Sequence, residues 1–121
     1  MKKVFISGAS SGIGKALALA YSKRGFIVGL CSRNIEALNY VKKTCEDLGA
    51  KIFVYQLDVQ NHKECIKVAS QFQLDAKGID YVIANAGIGG DDALFSGNSM
   101  KINNIINTNL LGVTNILMPF I

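Results

Sequence analysis

The sequence predicts an α/β fold built on a parallel sheet. Apolar runs of strand length alternate with segments of helical period, and a glycine-rich turn joins the first run to the first helix. Such βαβα alternation places helices on the faces of a parallel sheet with right-handed crossovers. The 121 residues support one domain, 1–121. A chain of that size buries about two-thirds of its unfolded surface.

Each element has a local reason. Residues 4–6 form the first strand. Residues 13–24 form a helix with Ile13, Leu17, Ala20 and Tyr21 on one face, ended by Gly25. Residues 26–31 are almost all apolar, as expected of a strand covered on both faces. Asn34 caps a helix to about residue 48, with Gly49 at its end. Residues 52–57 form strand 3, and Asn61 caps a third helix to about residue 73. Residues 79–84 form strand 4, with Gly78, Gly87, Gly89, Gly90 and Gly97 around that edge. An amphipathic segment runs from about residue 100 to the end, and Pro119 kinks or terminates it.

Composition narrows the function. Half the residues are hydrophobic and 18% are charged, which argues against disorder. The net charge of +4 comes from scattered basic residues, with Lys2-Lys3 and Lys42-Lys43 the adjacent pairs. No basic stripe interleaves with aromatics, so no nucleic-acid partner is expected. Cys31, Cys45 and Cys65 lack metal-ligand or Cys-x-x-Cys spacing. They read as reduced apolar residues, and no metal site is expected. The N-terminus lacks a signal-peptide pattern, and no apolar run reaches the roughly 20 residues that span a bilayer. A soluble cytoplasmic protein without a membrane partner is expected. His62 reads as an exposed helix-start residue.

The segment Ser7-Gly8-Ala9-Ser10-Ser11-Gly12-Ile13-Gly14 carries the chemistry. A strand that feeds a glycine turn and then a helix N-terminus cradles phosphate. The first-turn N–H groups point at the anion, and the helix dipole favours negative charge. Glycines let the backbone approach a pyrophosphate closely. A nucleoside-triphosphate loop is rejected: Gly14-Lys15 is present, but Ala9 replaces the leading glycine and Ala16 the hydroxyl residue. Gly8, Ser10, Ser11, Gly12, Ile13 and Gly14 are therefore candidate cofactor contacts.

With these residues the sequence resembles the short-chain dehydrogenases/reductases. Residues 7–14 look like that family's Thr-Gly-x3-Gly-x-Gly signature, with Ser7 for Thr. Ala84-Asn85-Ala86-Gly87 looks like its Asn-Asn-Ala-Gly motif, with Ala in the first position. Asp58-Val59 matches its adenine-contacting pair. Asn107-Thr108-Asn109-Leu110-Leu111-Gly112 looks like the helix carrying its catalytic asparagine, here Asn109.

The resemblance implies a Rossmann-type doubly wound sheet of strand order 3-2-1-4, incomplete and truncated within the helix after strand 4. It implies hydride transfer between a nicotinamide and a carbonyl or alcohol substrate. Asp58 would accept from the adenine amino group and Val59 would pack on the ring. Asn85 would bridge strand 4 to its neighbours, Ala86 and Gly87 would leave room for the ribose and nicotinamide, and Asn109 would position a proton-relay water. Ser32 stands where the family usually has its NAD-selecting acid. Arg33 follows, then Asn34, and an Arg there accommodates a 2′-phosphate. NADP(H) is therefore expected over NAD(H).

The family's proton chemistry uses a Ser and a Tyr-x3-Lys pair. Tyr21, Tyr40, Tyr55 and Tyr81 are followed four positions later by Gly25, Thr44, Val59 and Asn85, never by Lys. Those groups belong to family elements beyond residue 121, so the chain alone is expected to be inactive. Strand 4 would be an open edge. Ile105, Ile106, Leu110, Val113, Leu117 and Phe120 would expose apolar surface, and a homo-oligomer is expected. A non-catalytic dinucleotide-binding module, a gene remnant and an assembly protein remain alternatives.

Overall fold

A computed structural model describes residues 1–85 and 112–121. The elements are β1 (Lys3–Ser7), α1 (Gly12–Lys23), β2 (Ile27–Ser32), α2 (Ile35–Asp47), β3 (Lys51–Gln56), α3 (His62–Ala76), β4 (Tyr81–Ile83) and α4 (Gly112–Leu117), followed by a 3-10 turn (Met118–Phe120). The strands are parallel in the order β3-β2-β1-β4, as expected. Among the described residues β4 is a sheet edge.

Alternation along the strands divides the core into two layers. Val4, Ile6, Val28, Leu30 and Ile52 pack with Ala18, Leu38, Val41 and Cys45 on the α1/α2 face. Phe5, Ile27 and Cys31 pack with Cys65, Val68, Phe72 and Ile116 on the α3/α4 face. Phe72 is the keystone of the second layer. Its ring lies 5.3 Å from Phe5 and 6.3 Å from Tyr55, centroid to centroid. It fits because β2 carries Gly29 there: a Cβ at that position would stand 2.6 Å from the Phe72 ring and 2.8 Å from Phe5. All three cysteines are buried and unpaired with one another.

The buried stripe of α1 corrects the expected one. Gly14, Ala18 and Ser22 are buried, whereas Ala20 is exposed and Ile13 is 71% exposed. Leu17 and Tyr21 are half-buried at the margin of the core. Small residues let α1 sit close to the sheet, and the Ser22 hydroxyl donates to the Ala18 carbonyl at 2.7 Å, so its burial leaves no unmet polar group.

The other helices start as expected. Asn34 Oδ1 accepts from Ala37 N and Asn61 Oδ1 from Glu64 N, each at 3.1 Å. α3 continues to Ala76, past the expected end near residue 73, and stops at Lys77 in the left-handed region (φ 62°). β4 is shorter than the expected 79–84. The C-terminal segment limits a second expectation in part. Leu117 and Phe120 are half-buried against the second layer, Ile116 is buried within it, and Phe120 lies 5.2 Å from Phe5, so part of this surface is covered by the chain's own core. Val113 is half-buried; Ile105, Ile106 and Leu110 lie outside the described residues. Pro119 sits in the 3-10 turn where α4 ends, as expected.

Candidate dinucleotide-binding site

The site is assembled at the carboxyl ends of the strands. After β1 the chain turns through Gly8 (φ 65°) and reaches α1 through Gly12 (φ 58°), two left-handed conformations that glycine adopts without strain. Ala9 N–H donates to the Cys31 carbonyl at 3.2 Å, fixing the turn to β2. A Cβ at Gly14 would collide with the Gly8 carbonyl oxygen and stand 2.7 Å from Asn85 Nδ2. Among the described residues nothing lies within 4 Å of a Cβ built on Gly12, so that side of the turn is open to them.

α1 begins differently from α2 and α3. Its N-cap, Ser11, makes no side-chain cap hydrogen bond, and its first turn contains no acidic residue. Ser10 is half-buried; Ser11, Gly12 and Ile13 are exposed. The donor set of an anion site is present: first-turn N–H groups, serine hydroxyls and the positive end of the helix dipole.

Asn85 ties this turn to β4. Its Nδ2 donates to the Gly8 carbonyl at 3.2 Å, and its backbone N–H donates to Ser7 Oγ at 3.0 Å. Asn85 thus links the end of β4 to the turn after β1. Ala86, Gly87 and Asn109 lie outside the described residues.

A second cluster lies beyond the ends of β2 and β3. A cleft of about 310 Å³ is lined by Arg33, Gln56, Leu57, Asp58, Asn61 and Glu64. It brings together Arg33 and Asp58, two candidates separated by a strand and a helix. Among the described residues no carboxylate lies within ion-pair distance of Arg33. Asp58 is exposed, and its Oδ1 accepts from Gln60 N at 3.0 Å. The Val59 side chain is 5% exposed and packs in the second core layer. Asn34 Oδ1 is occupied by the α2 cap.

Gln56 and Asn115 shape this region without a signal in the chain-order motifs, and Ser32 joins them through its hydroxyl. Gln56 Nε2 donates to the Arg33 carbonyl at 3.1 Å. Ser32 Oγ accepts from Asn34 N at 3.0 Å. Asn115 Nδ2, on α4, donates to the Val59 carbonyl at 3.0 Å and holds the turn after β3. The parallel register opposing Ser32 and Gln56 is the one signal that leads to Gln56.

Burial shifts three ionisable groups near the site. Burial pushes the Cys31 thiol far up, and the neighbouring Cys65 adds to it. Burial pushes Cys65 up to about 11, assisted by Asp58 and Glu64. Burial also raises the Tyr55 phenol, reinforced by its 2.7 Å hydrogen bond to Asp75 Oδ2. An activated nucleophile or acid needs the opposite shift. His62 is exposed at the first residue of α3. Among the described residues no group of three metal-ligating side chains occurs, and no helix is long and apolar enough to cross a membrane.

A glycine turn feeding an open helix N-terminus, at the carboxyl edge of a 3-2-1-4 parallel sheet, defines the class: a Rossmann-type α/β fold of the kind that holds dinucleotides. Comparison with known proteins narrows the class. The short chain dehydrogenase family model matches residues 2–120, and the chain belongs to that family of oxidoreductases. It is 37% identical over 112 residues to an uncharacterized oxidoreductase of Mycobacterium tuberculosis, covering 91% of this chain and 44% of that protein. An alcohol dehydrogenase from Thermococcus sibiricus, complexed with 5-hydroxy-NADP, superposes with a TM-score of 0.93 at 30% identity, over 99% of this chain and 52% of that one. A xylitol dehydrogenase bound to NAD+ superposes equally well, with a TM-score of 0.93 at 25% identity, over 98% of this chain and 46% of that one. The chain thus spans about half the length of the relatives it matches.

Proposed function

We propose that this chain supplies the NADP(H) grip of an oxidoreductase that transfers hydride between the nicotinamide and a small carbonyl or alcohol substrate. The observation that carries the cofactor preference is Arg33. It lines the cleft at the end of β2 without a carboxylate partner among the described residues, next to Ser32, where an NAD-selective site places an acid. A guanidinium there pairs with a 2′-phosphate.

The residues fit such a cofactor. The turn at Gly8–Gly14 and the α1 N-terminus would hold the pyrophosphate, with the exposed Ile13 covering it. Asp58 would accept from the adenine amino group. Val59 would pack on the adenine ring. Ala86 and Gly87 would border the ribose, and Asn109 would position a proton-relay water. The bound nicotinamide supplies the hydride chemistry. The protein is read as a cytoplasmic homo-oligomer, which light scattering tests by its mass in solution. Fluorescence titration tests the cofactor reading: NADPH should bind at least about tenfold more tightly than NADH, the scale of one charge-assisted bidentate contact. Equal affinities would overturn it.

A further inference from the structure

We infer that Gln56 is a specificity-determining positioning residue that holds Arg33 for a nucleotide phosphate. This inference rests on the cofactor reading above. Arg33 lies on the short turn between β2 and α2, and a turn residue with a long side chain has many rotamers to lose on binding an anion. Its backbone is held from both sides. Leu57 N–H donates to the Ser32 carbonyl at 2.9 Å, and Asn34 N–H to Ser32 Oγ at 3.0 Å. Between these two bonds the Arg33 carbonyl has one side-chain partner among the described residues, Gln56 Nε2 at 3.1 Å.

Gln56 is the last residue of β3 and lies opposite Ser32 in the register. It also lines the same cleft as Arg33. Its amide therefore fixes the peptide from which the guanidinium departs. A donor is needed: the carbonyl can only accept, so glutamate or methionine at this position loses the bond. Glutamate also adds a negative charge beside the proposed phosphate.

The test is a set of dissociation constants for NADPH and NADH on the purified chain and on Arg33→Ala, Gln56→Met, Gln56→Glu and Arg33→Ala/Gln56→Met. Gln56→Met should weaken NADPH about threefold to tenfold, the worth of one hydrogen bond, while NADH changes less than about twofold. Gln56→Glu should weaken NADPH further. In the Arg33→Ala background, Gln56→Met should have no additional effect, because a positioning residue acts through the group it positions. Equal weakening of both cofactors, or additivity with Arg33→Ala, would show a merely structural role and overturn the inference. If Arg33→Ala weakens NADPH and neither Gln56 variant does, the inference fails while the cofactor reading stands. If Arg33→Ala itself leaves NADPH unchanged, the cofactor reading fails. Thermal unfolding of each variant confirms that the compared proteins are folded. Should Gln56→Met not fold, Gln56→Ala, which removes the donor without adding charge, carries the comparison.

Discussion

The Asn85 carboxamide donates through Nδ2 to the Gly8 carbonyl oxygen at 3.2 Å, joining the end of β4 to the glycine turn after β1. The two residues are far apart in sequence. The bond fixes the turn's orientation from the side opposite β2, where Ala9 N–H is bonded to Cys31. Asn85→Ala should therefore lower unfolding free energy by about 1–2 kcal/mol, the cost of a lost part-buried hydrogen bond. Asn85→Asp should be no better, since a carboxylate cannot donate to a carbonyl. Urea denaturation measures both, and an unchanged midpoint for Asn85→Ala would show that the bond contributes nothing.

Gly14 and Gly29 fail differently when replaced by alanine. At Gly14 the added methyl meets backbone, the Gly8 carbonyl, and the helix must move away from the turn. At Gly29 it meets the rings of Phe72 and Phe5, which can repack only by disturbing the second core layer. Both should destabilise, Gly29→Ala by about 1–3 kcal/mol as an overpacked core site. Gly14→Ala should in addition abolish dinucleotide binding. The double mutant Gly29→Ala/Phe72→Leu should recover part of the loss, and calorimetric melting would show whether it does.

Much of this was legible in sequence order. Asn34 and Asn61 act as the expected caps because a cap is a local event, decided within three residues. The Gly8–Gly14 turn, the helix–strand alternation and the order 3-2-1-4 followed from motif and resemblance. What escaped was set by contacts between distant segments. The buried face of α1 is Gly14, Ala18 and Ser22, because close approach to the sheet selects small residues over the larger Ile13 and Leu17. Ile116 and Phe120 turn inward because Phe5 and Phe72 offer an apolar face there. Gln56 and Asn115 reach backbone carbonyls in other elements, at Arg33 and Val59, and no local pattern announces such bonds.

The buried thiols give the fold a defined alkaline limit. The Cys65 thiol is raised from 9.0 to about 11, chiefly by burial, and Cys31 and Cys45 are raised as well. In the unfolded chain these thiols ionise first, so above pH 9 the unfolded state binds fewer protons than the folded one. Stability should be fully present below about pH 9 and fall as pH rises toward 11. The Tyr55 phenol, raised by burial and by Asp75, acts in the same direction. Urea midpoints between pH 7 and 11 measure the decline. Alkylation by iodoacetamide at pH 7.5 should be slow in the folded protein and rapid in denaturant. Rapid modification of the folded chain would contradict the burial.

On the proposed reading, Arg33 and its cleft select a phosphorylated ribose. Calorimetric titration with 2′,5′-ADP and with 5′-AMP tests it most directly, because the two ligands differ at the 2′ position and lack the nicotinamide. Binding of 2′,5′-ADP should be at least about tenfold tighter, with that advantage lost in Arg33→Ala. Equal binding of the two nucleotides, or an advantage that survives in Arg33→Ala, would contradict it.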